Sequence, residues 1–418
     1  MYDAVVVGAR CAGAATALLL ARAGRRVLVV DRAAFPRDTM STLYIQRRGV
    51  GYLDRWGLLD RVAAVCPALD RISYQIGDVR LEGFPRPVDG MRAAYAPRRY
   101  SLDAILVEAA VAAGAEFRES CCVEDLLYTG DRITGVRLRS GGALLDEPAR
   151  LVVGADGMRS TVAARVGATD LLRDPPQTCV YYSFWAGAAD HFELYEAPGR
   201  WVGAVPTNDG LTLVQAYFRQ DEFSRVRADA PAAYLENVRT TAPELYERML
   251  AGGQAGRLYG TGDQRNFFRT AAGPGWALAG DAGHHRDSIT ARGITHAFLQ
   301  ADLLAGLVAP VLDDPARLDA ALARYARERY DALLGDYHRT LSTARLAVPW
   351  HRVGMLREVA ADPVRVEEFF SAMAGAPRSE AGSLTGAAAG AGTDTDTDAA
   401  QSVRQAIAWM RDARRVRV

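Results

Sequence analysis

Hydrophobic residues at the start of the chain predict a strand, a helix and a second strand. Residues 4–7 are a short apolar run rich in β-branched residues, and residues 12–23 are an Ala/Leu-rich stretch of helical length that Gly24 ends. Residues 27–30 form a second β-branched run of strand length. A glycine-rich turn, GARCAG at 8–13, joins the first strand to the helix. This order is typical of a nucleotide-binding βαβ unit.

Apolar patterns typical of helices and of strands continue along the chain. Apolar residues at helical spacing predict helices at 49–64, 101–113 and 293–308, and a long charged amphipathic helix at 316–347. Strands and turns are predicted at 71–95, 116–138, 151–153 and 276–279, and the segment 179–218 is strongly β with an Asn-Asp-Gly hairpin turn at 208–210. Residues 381–400 are rich in Gly, Ala, Thr and Asp, which predicts a flexible linker before a basic helix at 402–415.

Three motifs in order carry the candidate chemistry: VVVGARCAG at 5–13, VVGADGMRS at 152–160 and ALAGDAGHHRDS at 277–288. The first leaves helix-start N–H groups free for a dinucleotide pyrophosphate. Asp31 closes the second strand, where a carboxylate binds ribose hydroxyls and disfavours a 2′-phosphate. Asp156 and Asp281 each lie beside a Gly after an apolar run, within reach of ribose or ribityl hydroxyls. Together the motifs predict bound FAD.

Arg10 departs from the G-x-G-x-x-G pattern, because it stands where the second Gly normally lets the backbone approach the pyrophosphate. Two interpretations are open. The guanidinium could meet the phosphate as a counter-ion, or it could point into solvent.

Charge and cysteine content limit the partners, the metal sites and the cellular compartment that can be expected for the protein. Fifty basic and fifty acidic residues cancel, so neither a nucleic-acid nor an anionic-membrane partner is expected. Five Cys without a C-x-x-C pair favour a reducing compartment and give no disulfide framework or zinc site. The strand that begins by Asp3 is expected to leave no room for a signal peptide, and no apolar run is expected to be long enough for a membrane span. We therefore expect a cytoplasmic protein without membrane insertion; its oligomeric state is open.

With these motifs the chain resembles the group-A flavoprotein monooxygenase superfamily, the p-hydroxybenzoate-hydroxylase-like fold, over roughly residues 2–375. That fold also includes geranylgeranyl-reductase-like enzymes and flavin-dependent halogenases. The late motif of the superfamily, G-D-A-x-H-x-x-x-P-x-x-G-x-G, differs here, since Ser288 stands at the Pro and Ala291 at the first Gly. Thr295 replaces the usual Asn.

The resemblance implies a role for each matching residue. Asp156 would lie near the FAD pyrophosphate, Asp281 would bind ribityl or ribose oxygens, and the helix starting at Gly293 would face the flavin N1–C2=O edge. Arg47 or Arg48 and Arg98 or Arg99 would contact the cofactor, and the backbone of Val123 would meet the adenine. The predicted cofactor-binding set is Gly8, Arg10, Cys11, Ala12, Gly13, Asp31, Arg32, Arg47, Arg99, Val123, Asp156, Gly157, Gly280, Asp281, Gly293 and Ile294.

Two further sets are candidates for the chemistry itself. His284 and His285 follow the late motif, where the chain would pass the flavin, and are either catalytic or structural histidines. The other histidines show no metal-ligand spacing, so no metal is predicted. Aromatic residues of the β-rich segment either line a substrate pocket or pack in a sheet core; the predicted substrate-binding set is Tyr182, Phe184, Trp201 and Tyr217.

The predicted fold class is α/β, with a Rossmann-type FAD-binding domain interleaved with a β-sheet substrate domain and a helical C-terminal region. The FAD-binding domain would comprise 1–70, 96–178 and 270–310, and the β-rich substrate domain 71–95 and 179–269. A C-terminal helical region at 311–378, a linker at 379–400 and a basic tail helix at 401–418 would follow.

The predicted function is that of an FAD-dependent monooxygenase. It would oxygenate a small hydrophobic, aromatic or polyketide-like metabolite with O₂ through a flavin C4a-hydroperoxide, with NAD(P)H as transient reductant. An FAD-dependent reductase of a prenyl or other unsaturated substrate is the main alternative. A halogenase is disfavoured, because the chain has no Lys and keeps only Trp201 and Pro206 of the G-W-x-W-x-I-P pattern. A flavin-binding protein without turnover is a fourth possibility.

Overall fold

The computed structural model describes residues 1–375, and the predicted linker and tail helix lie outside them. Its strands are β1 (Tyr2–Val7), β2 (Val27–Val30), β3 (Ile72–Ile76), β4 (Val79–Gly83), β5 (Glu116–Arg118), β6 (Cys122–Thr129), β7 (Arg132–Ser140), β8 (Ala143–Gly154), β9 (Asp170–Asp174), β10 (Thr178–Ala186), β11 (Phe192–Ala197), β12 (Arg200–Pro206), β13 (Leu211–Arg219), β14 (Tyr259–Thr261), β15 (Asn266–Arg269), β16 (Ala272–Gly273), β17 (Trp276–Leu278) and β18 (His284–His285). Its α-helices are α1 (Cys11–Arg22), α2 (Arg47–Arg55), α3 (Leu59–Ala63), α4 (Arg99–Ala112), α5 (Thr161–Arg165), α6 (Phe223–Ala228), α7 (Ala230–Thr241), α8 (Pro243–Gly252), α9 (Gly293–Val308), α10 (Pro315–Ala344), α11 (Trp350–Ala360) and α12 (Pro363–Ala374).

The βαβ pattern at the start of the chain forms the centre of a largely parallel sheet. Its order is β16-β17-β8-β1-β2-β5, and β1, β2, β5, β17 and the second half of β8 run parallel. The first half of β8 leaves this layer and pairs antiparallel with β7, which pairs with β6. This is the predicted Rossmann-type layer.

Alternation along the strands of this sheet divides its side chains between two cores. Val6 and Val29 face the helices α1, α4 and α9, whereas Val5 and Val30 face the layer of β6 and β7. Because both faces are covered, the strands are apolar at nearly every position, as a buried parallel sheet requires.

A second sheet is built from the β-rich segment, with the order β14-β10-β13-β12-β11-β3-β4. The predicted hairpin turn joins β12 to β13, and Asp209 has the left-handed φ of +62° that such a turn needs. One face of this sheet packs on α6, α7 and α8, and the other packs on α11 and α12 at its β3–β4 end. A small sheet, β18-β15-β9, lies beside these two layers.

Two predicted segments differ from the structure. The single helix expected at 49–64 is divided into α2 and α3, because Gly57 adopts a φ of +67° that ends the first helix. The helices α6 to α8 follow the strongly β segment 179–218 and lie within 179–269, the range assigned to the β-rich substrate domain, for which no helix was predicted.

Within residues 1–375 one helix, Gly293–Val311, is long and apolar enough to cross a membrane by length and composition, and the expectation that no such run exists is therefore corrected. It includes α9, whose apolar residues pack against α1 and belong to the core of the nucleotide sheet. Burial within the fold accounts for its apolar composition.

A buried carboxylate attaches α11 to the second sheet. Glu196 of β11 is 3% exposed, and the hydroxyl of Tyr74 donates to it. Arg352 of α11 donates to Glu196 Oε1 (2.9 Å) and to the Tyr74 oxygen (2.9 Å). This ion pair joins the C-terminal helices to the face of the sheet that they cover.

We predict that Arg352→Ala lowers the free energy of unfolding by about 3 kcal/mol, because it leaves the Glu196 charge buried without a cation. Arg357→Ala is the control. Arg357 also belongs to α11, but its ion pair with Asp78, between β3 and β4, is exposed. That control should cost less than about 1 kcal/mol. The urea midpoints of the two variants measure the difference, and equal shifts would contradict the assignment.

Candidate active-site cleft

A cleft of about 650 Å³ lies at the carboxyl ends of β1 and β8, where the turns of all three sequence motifs meet. Its position is the one at which open α/β sheets bind ligands. The predicted cofactor residues that line it are Gly8, Arg10, Cys11, Ala12, Asp31, Arg32, Arg99, Val123, Asp156, Gly157, Gly280, Asp281, Gly293 and Ile294; His284 and His285 line it as well.

Close backbone contact at Gly8 holds the first two motifs together. Gly8 has a φ of +101°, and a Cβ there would lie 2.4 Å from the carbonyl oxygen of Ala155. A Cβ on Gly13 would lie 1.7 Å from the Gly8 oxygen, although Gly13 itself does not line the cleft. Glycine is therefore required at both positions, at Gly8 by conformation and space and at Gly13 by space.

Asp31 binds the glycine-rich turn itself. Its Oδ2 accepts from the N–H of Ala9 and its Oδ1 from the N–H of Ala33, both at 2.8 Å. The neighbouring Arg32 lies at the rim of the cleft.

The structure brings Arg10 to Asp103, a residue that the sequence motifs did not single out. Arg10 donates to Asp103 (3.1 Å) and lines the cleft, and Arg99 forms a second ion pair with the same carboxylate (2.9 Å). The thiol of Cys11 also contacts Asp103, and burial raises the pKa of Cys11 to about 12, so it stays protonated. The i, i+4 spacing of Arg99 and Asp103 was the available signal.

Asp156 caps the helix that follows its turn. It accepts from the hydroxyl of Ser160 (2.5 Å) and from the backbone N–H groups of Thr161 (2.6 Å) and Val162 (3.2 Å). Burial raises the pKa of the carboxyl group. Asp281, in contrast, is exposed to the cleft, next to the start of α9.

Arg47 does not line the cleft. Its side chain is 1% exposed and donates to the backbone carbonyls of Arg92 (2.7 Å) and Asp70 (3.0 Å). Arg98, the alternative to Arg99, donates to Asp38 and lies over the ring of Phe184 at 3.8 Å.

The two predicted histidines form β18 and differ in environment. His284 is 3% exposed, its ring lies 4.2 Å from that of Phe268, and its Nε2 has no hydrogen-bond partner within residues 1–375. Burial and the neighbouring Arg286 hold its pKa well below the ordinary value, so the imidazole is neutral. His285 hydrogen-bonds through Nδ1 to the backbone oxygen of Arg265 and stacks on Phe267.

The aromatic residues predicted to bind substrate share one face of the second sheet, and none of them lines the cleft. They belong to one apolar cluster, to which α11 and α12 contribute at the β3–β4 end of the sheet, whereas Tyr182 and Phe184 lie in β10 near the opposite edge. This face reaches the cleft at Ser288, whose hydroxyl is hydrogen-bonded to that of Tyr217 at 2.9 Å. The four residues are Tyr182, Phe184, Trp201 and Tyr217.

The departures from the late motif have local structural explanations. Ser288 donates to the Gln264 side chain (2.6 Å), a bond that Pro could not make. Ala291 adopts a φ of +49°, which explains why Gly is usual at that position. The neighbouring Asp287 is buried, which raises its pKa to about 6 while Thr178 donates to it (2.7 Å).

A candidate metal group lies away from the cleft, although sequence spacing had not indicated it. Ligand atoms of Asp190, His191 and Glu193 lie within 4.8 Å of one another. All three are engaged in the protein, since His191 bonds Asp190 and Ser73, and Glu193 pairs with Arg248. These partners account for the cluster without an ion.

Comparison with known proteins agrees with this geometry. A kynurenine 3-monooxygenase of Salinispora arenicola is 30% identical over 401 residues, covering 86% of this chain and 83% of that protein. A digeranylgeranylglycerophospholipid reductase of Methanosarcina acetivorans is 28% identical over 319 residues, covering 73% and 74%. The solved structure of PqsL of Pseudomonas aeruginosa, described as a probable FAD-dependent monooxygenase, superposes with a TM-score of 0.74 at 23% identity, covering 85% of this chain and 99% of that one.

Flavin-dependent halogenases are also among the similar structures. The family model described as "FAD binding domain" matches residues 1–333, which include all three motifs and the whole cleft. The mixed α/β architecture, with its helical C-terminal region, agrees with the fold of these flavoproteins. The chain therefore belongs to the FAD-binding-domain family of oxidoreductases and is an enzyme of the flavoprotein superfamily that its motifs predict.

Proposed function

We propose that the protein is an FAD-dependent monooxygenase that uses NAD(P)H and O₂ to oxygenate a small hydrophobic, aromatic or polyketide-like metabolite. The observation that carries the proposal is the convergence of the three motifs on one cleft whose volume lies in the range of cofactor sites. The kynurenine 3-monooxygenase relative supports an aromatic substrate, since it aligns with most of the chain.

The residues present fit FAD in one orientation. The Gly8 turn and the start of α1 suit the pyrophosphate, and Asp31 lies where an adenosine ribose would be held. The far end of the cleft, at Asp281 and the start of α9, then receives the flavin. When bound there, FAD would supply the redox and oxygen-activating chemistry.

The chain's own residues would bind and shield the reactants. The Asp281 carboxylate can accept from ribityl hydroxyls, and the free Nε2 of the neutral His284 can hydrogen-bond a substrate group. The loop at 284–288 lines the cleft and is held to the second sheet by the Tyr217–Ser288 contact, which supports a substrate position beside this loop. Bound substrate and cofactor would there exclude water from the reaction.

An FAD-dependent reductase of a prenyl substrate is the second candidate, favoured by the digeranylgeranylglycerophospholipid reductase relative. It would use the same cofactor cleft without O₂. A halogenase is disfavoured, because the chain has no Lys and carries Gly203 where that group has its second Trp.

We predict that the purified protein is yellow, carries FAD rather than FMN, and binds it about tenfold more weakly after Gly8→Ala. An Ala side chain would be strained at a φ of +101° and would collide with the Ala155 oxygen. Gly24→Ala is the control, since its φ is also positive (+76°) but nothing lies within 4 Å. Chromatography of the released chromophore identifies the flavin, and titration of each protein with FAD measures its affinity. Equal affinities in the two variants would contradict the assigned role of the turn.

We predict that a substrate will stimulate NAD(P)H and O₂ consumption together and that one atom of ¹⁸O₂ will enter the product. Kynurenine is the first compound to test, followed by other aromatic and polyketide-like metabolites. Hydrogen peroxide measured alongside separates coupled turnover from simple oxidase activity. Anaerobic saturation of a prenyl double bond, without ¹⁸O incorporation, would instead establish the reductase alternative.

We predict that His284→Ala lowers turnover of that substrate by about 10²–10⁴-fold if its imidazole transfers a proton. FAD content should stay normal, because the residues proposed for the nucleotide lie elsewhere in the cleft. His338→Ala, an exposed position in α10, is the control. The same comparison with His285→Ala shows whether one or both histidines act. Wild-type turnover in both variants would make the pair structural.

A further inference from the structure

Arg286 is a buried cation in the wall of the cleft that has no carboxylate partner among residues 1–375. It is 7% exposed, and it donates to Thr340 Oγ1 (3.0 Å) and to His296 Nδ1 (2.6 Å). Its remaining terminal nitrogen has no hydrogen-bond partner within residues 1–375, and it forms no ion pair there. A buried guanidinium without a counter-ion is costly, so its persistence calls for an explanation.

Asp336, the carboxylate of this network, forms its contacts with other groups and no ion pair with Arg286. Asp336 accepts from His296 Nε2 (2.9 Å), from Arg292 (3.3 Å) and from Arg339. Burial and the charge of Arg286 lower the pKa of His296 to about 3, so this ring is neutral and transmits a hydrogen bond without a charge. Burial also lowers the pKa of Arg286, to about 10, which still leaves it charged at neutral pH.

The amino terminus of α9 lies at the same end of the cleft. The helix is 16 residues long, no side chain caps its start, and a Cβ on Gly293 would meet nothing within 4 Å. His296, which accepts from Arg286, belongs to the first turn of this helix. The partial positive charge of a helix start and a buried cation are therefore combined at one place.

We infer that Arg286 is a cofactor-binding residue whose free N–H group stabilises the negative charge that the isoalloxazine of FAD carries when reduced. The inference rests on the proposed binding of FAD. In the proposed orientation of FAD, the pyrophosphate lies at the start of α1. The isoalloxazine ring, which is anionic when reduced, then lies at the other end of the cleft, beside Arg286 and the start of α9. The negative charge would give Arg286 the counter-ion that the protein does not provide.

The test compares the two-electron reduction potential of the FAD-loaded full chain in the wild type, Arg286→Gln, Arg286→Lys and Arg159→Gln. A charge-assisted hydrogen bond to the reduced ring implies that Arg286→Gln weakens binding of reduced FAD by roughly 10- to 100-fold relative to oxidised FAD. Its potential should therefore be more negative, and Arg286→Lys should recover part of the change. Arg159→Gln is the charge-matched control, because Arg159 lines the cleft but is exposed and pairs with Asp263.

A wild-type potential in Arg286→Gln that binds FAD overturns the inference, as does an equal change in Arg159→Gln. If the Gln variant does not fold, the protonation state of the reduced ring in the wild type tests the inference instead. With ¹⁵N-labelled FAD, the N1 resonance of the reduced protein at pH 7 should be that of the deprotonated ring, and a protonated N1 would also overturn it. Failure of the wild type to bind FAD would instead contradict the proposed function.

Discussion

The parallel register of three strands is the constraint on which the cleft depends. Val7 of β1 pairs with Gly154 of β8, and Gly154 pairs with Leu278 of β17. Three strands that are far apart in sequence therefore end side by side, and the turn after each begins at the same edge of the sheet. The contact between Gly8 and the Ala155 carbonyl then fixes the spacing of the first two turns. The cofactor site is a consequence of strand pairing more than of any single side chain.

Much of this arrangement was predictable because it follows from local periodicity. The first βαβ unit, the hairpin at 208–210 and the bounds of α9 follow from apolar spacing and from Gly, Asn and Asp at the turns. The division of the helix at 49–64 depends on a single backbone angle at Gly57, which apolar spacing does not encode. The helices α6 to α8 pack on the outer face of a sheet, and their pattern is hard to separate from that of the strands around them.

Side-chain partners were less predictable, because each depends on residues distant in sequence. The two interpretations of Arg10 were a phosphate counter-ion and solvent, whereas Asp103, ninety-three positions away, pairs with it at the cleft wall. The aromatic residues of the second sheet have the composition of a substrate pocket, yet they are buried in an apolar cluster and none of the four predicted ones lines the cleft. The composition of these strands predicted an apolar face, but it did not predict which part of the protein packs on that face.

The ion pair of Arg352 with Glu196 also has a consequence for biosynthesis. The apolar face at the β3–β4 end of the second sheet is complete once β11 to β13 have been made, but the helices that pack on it, α11 and α12, are translated last among the described elements. A ribosome-bound chain therefore presents this apolar surface, and the charge of Glu196, until the residues around Arg352 emerge. Productive folding must protect the nascent sheet from association during that interval, which makes chain elongation near the end of the protein a determinant of its yield.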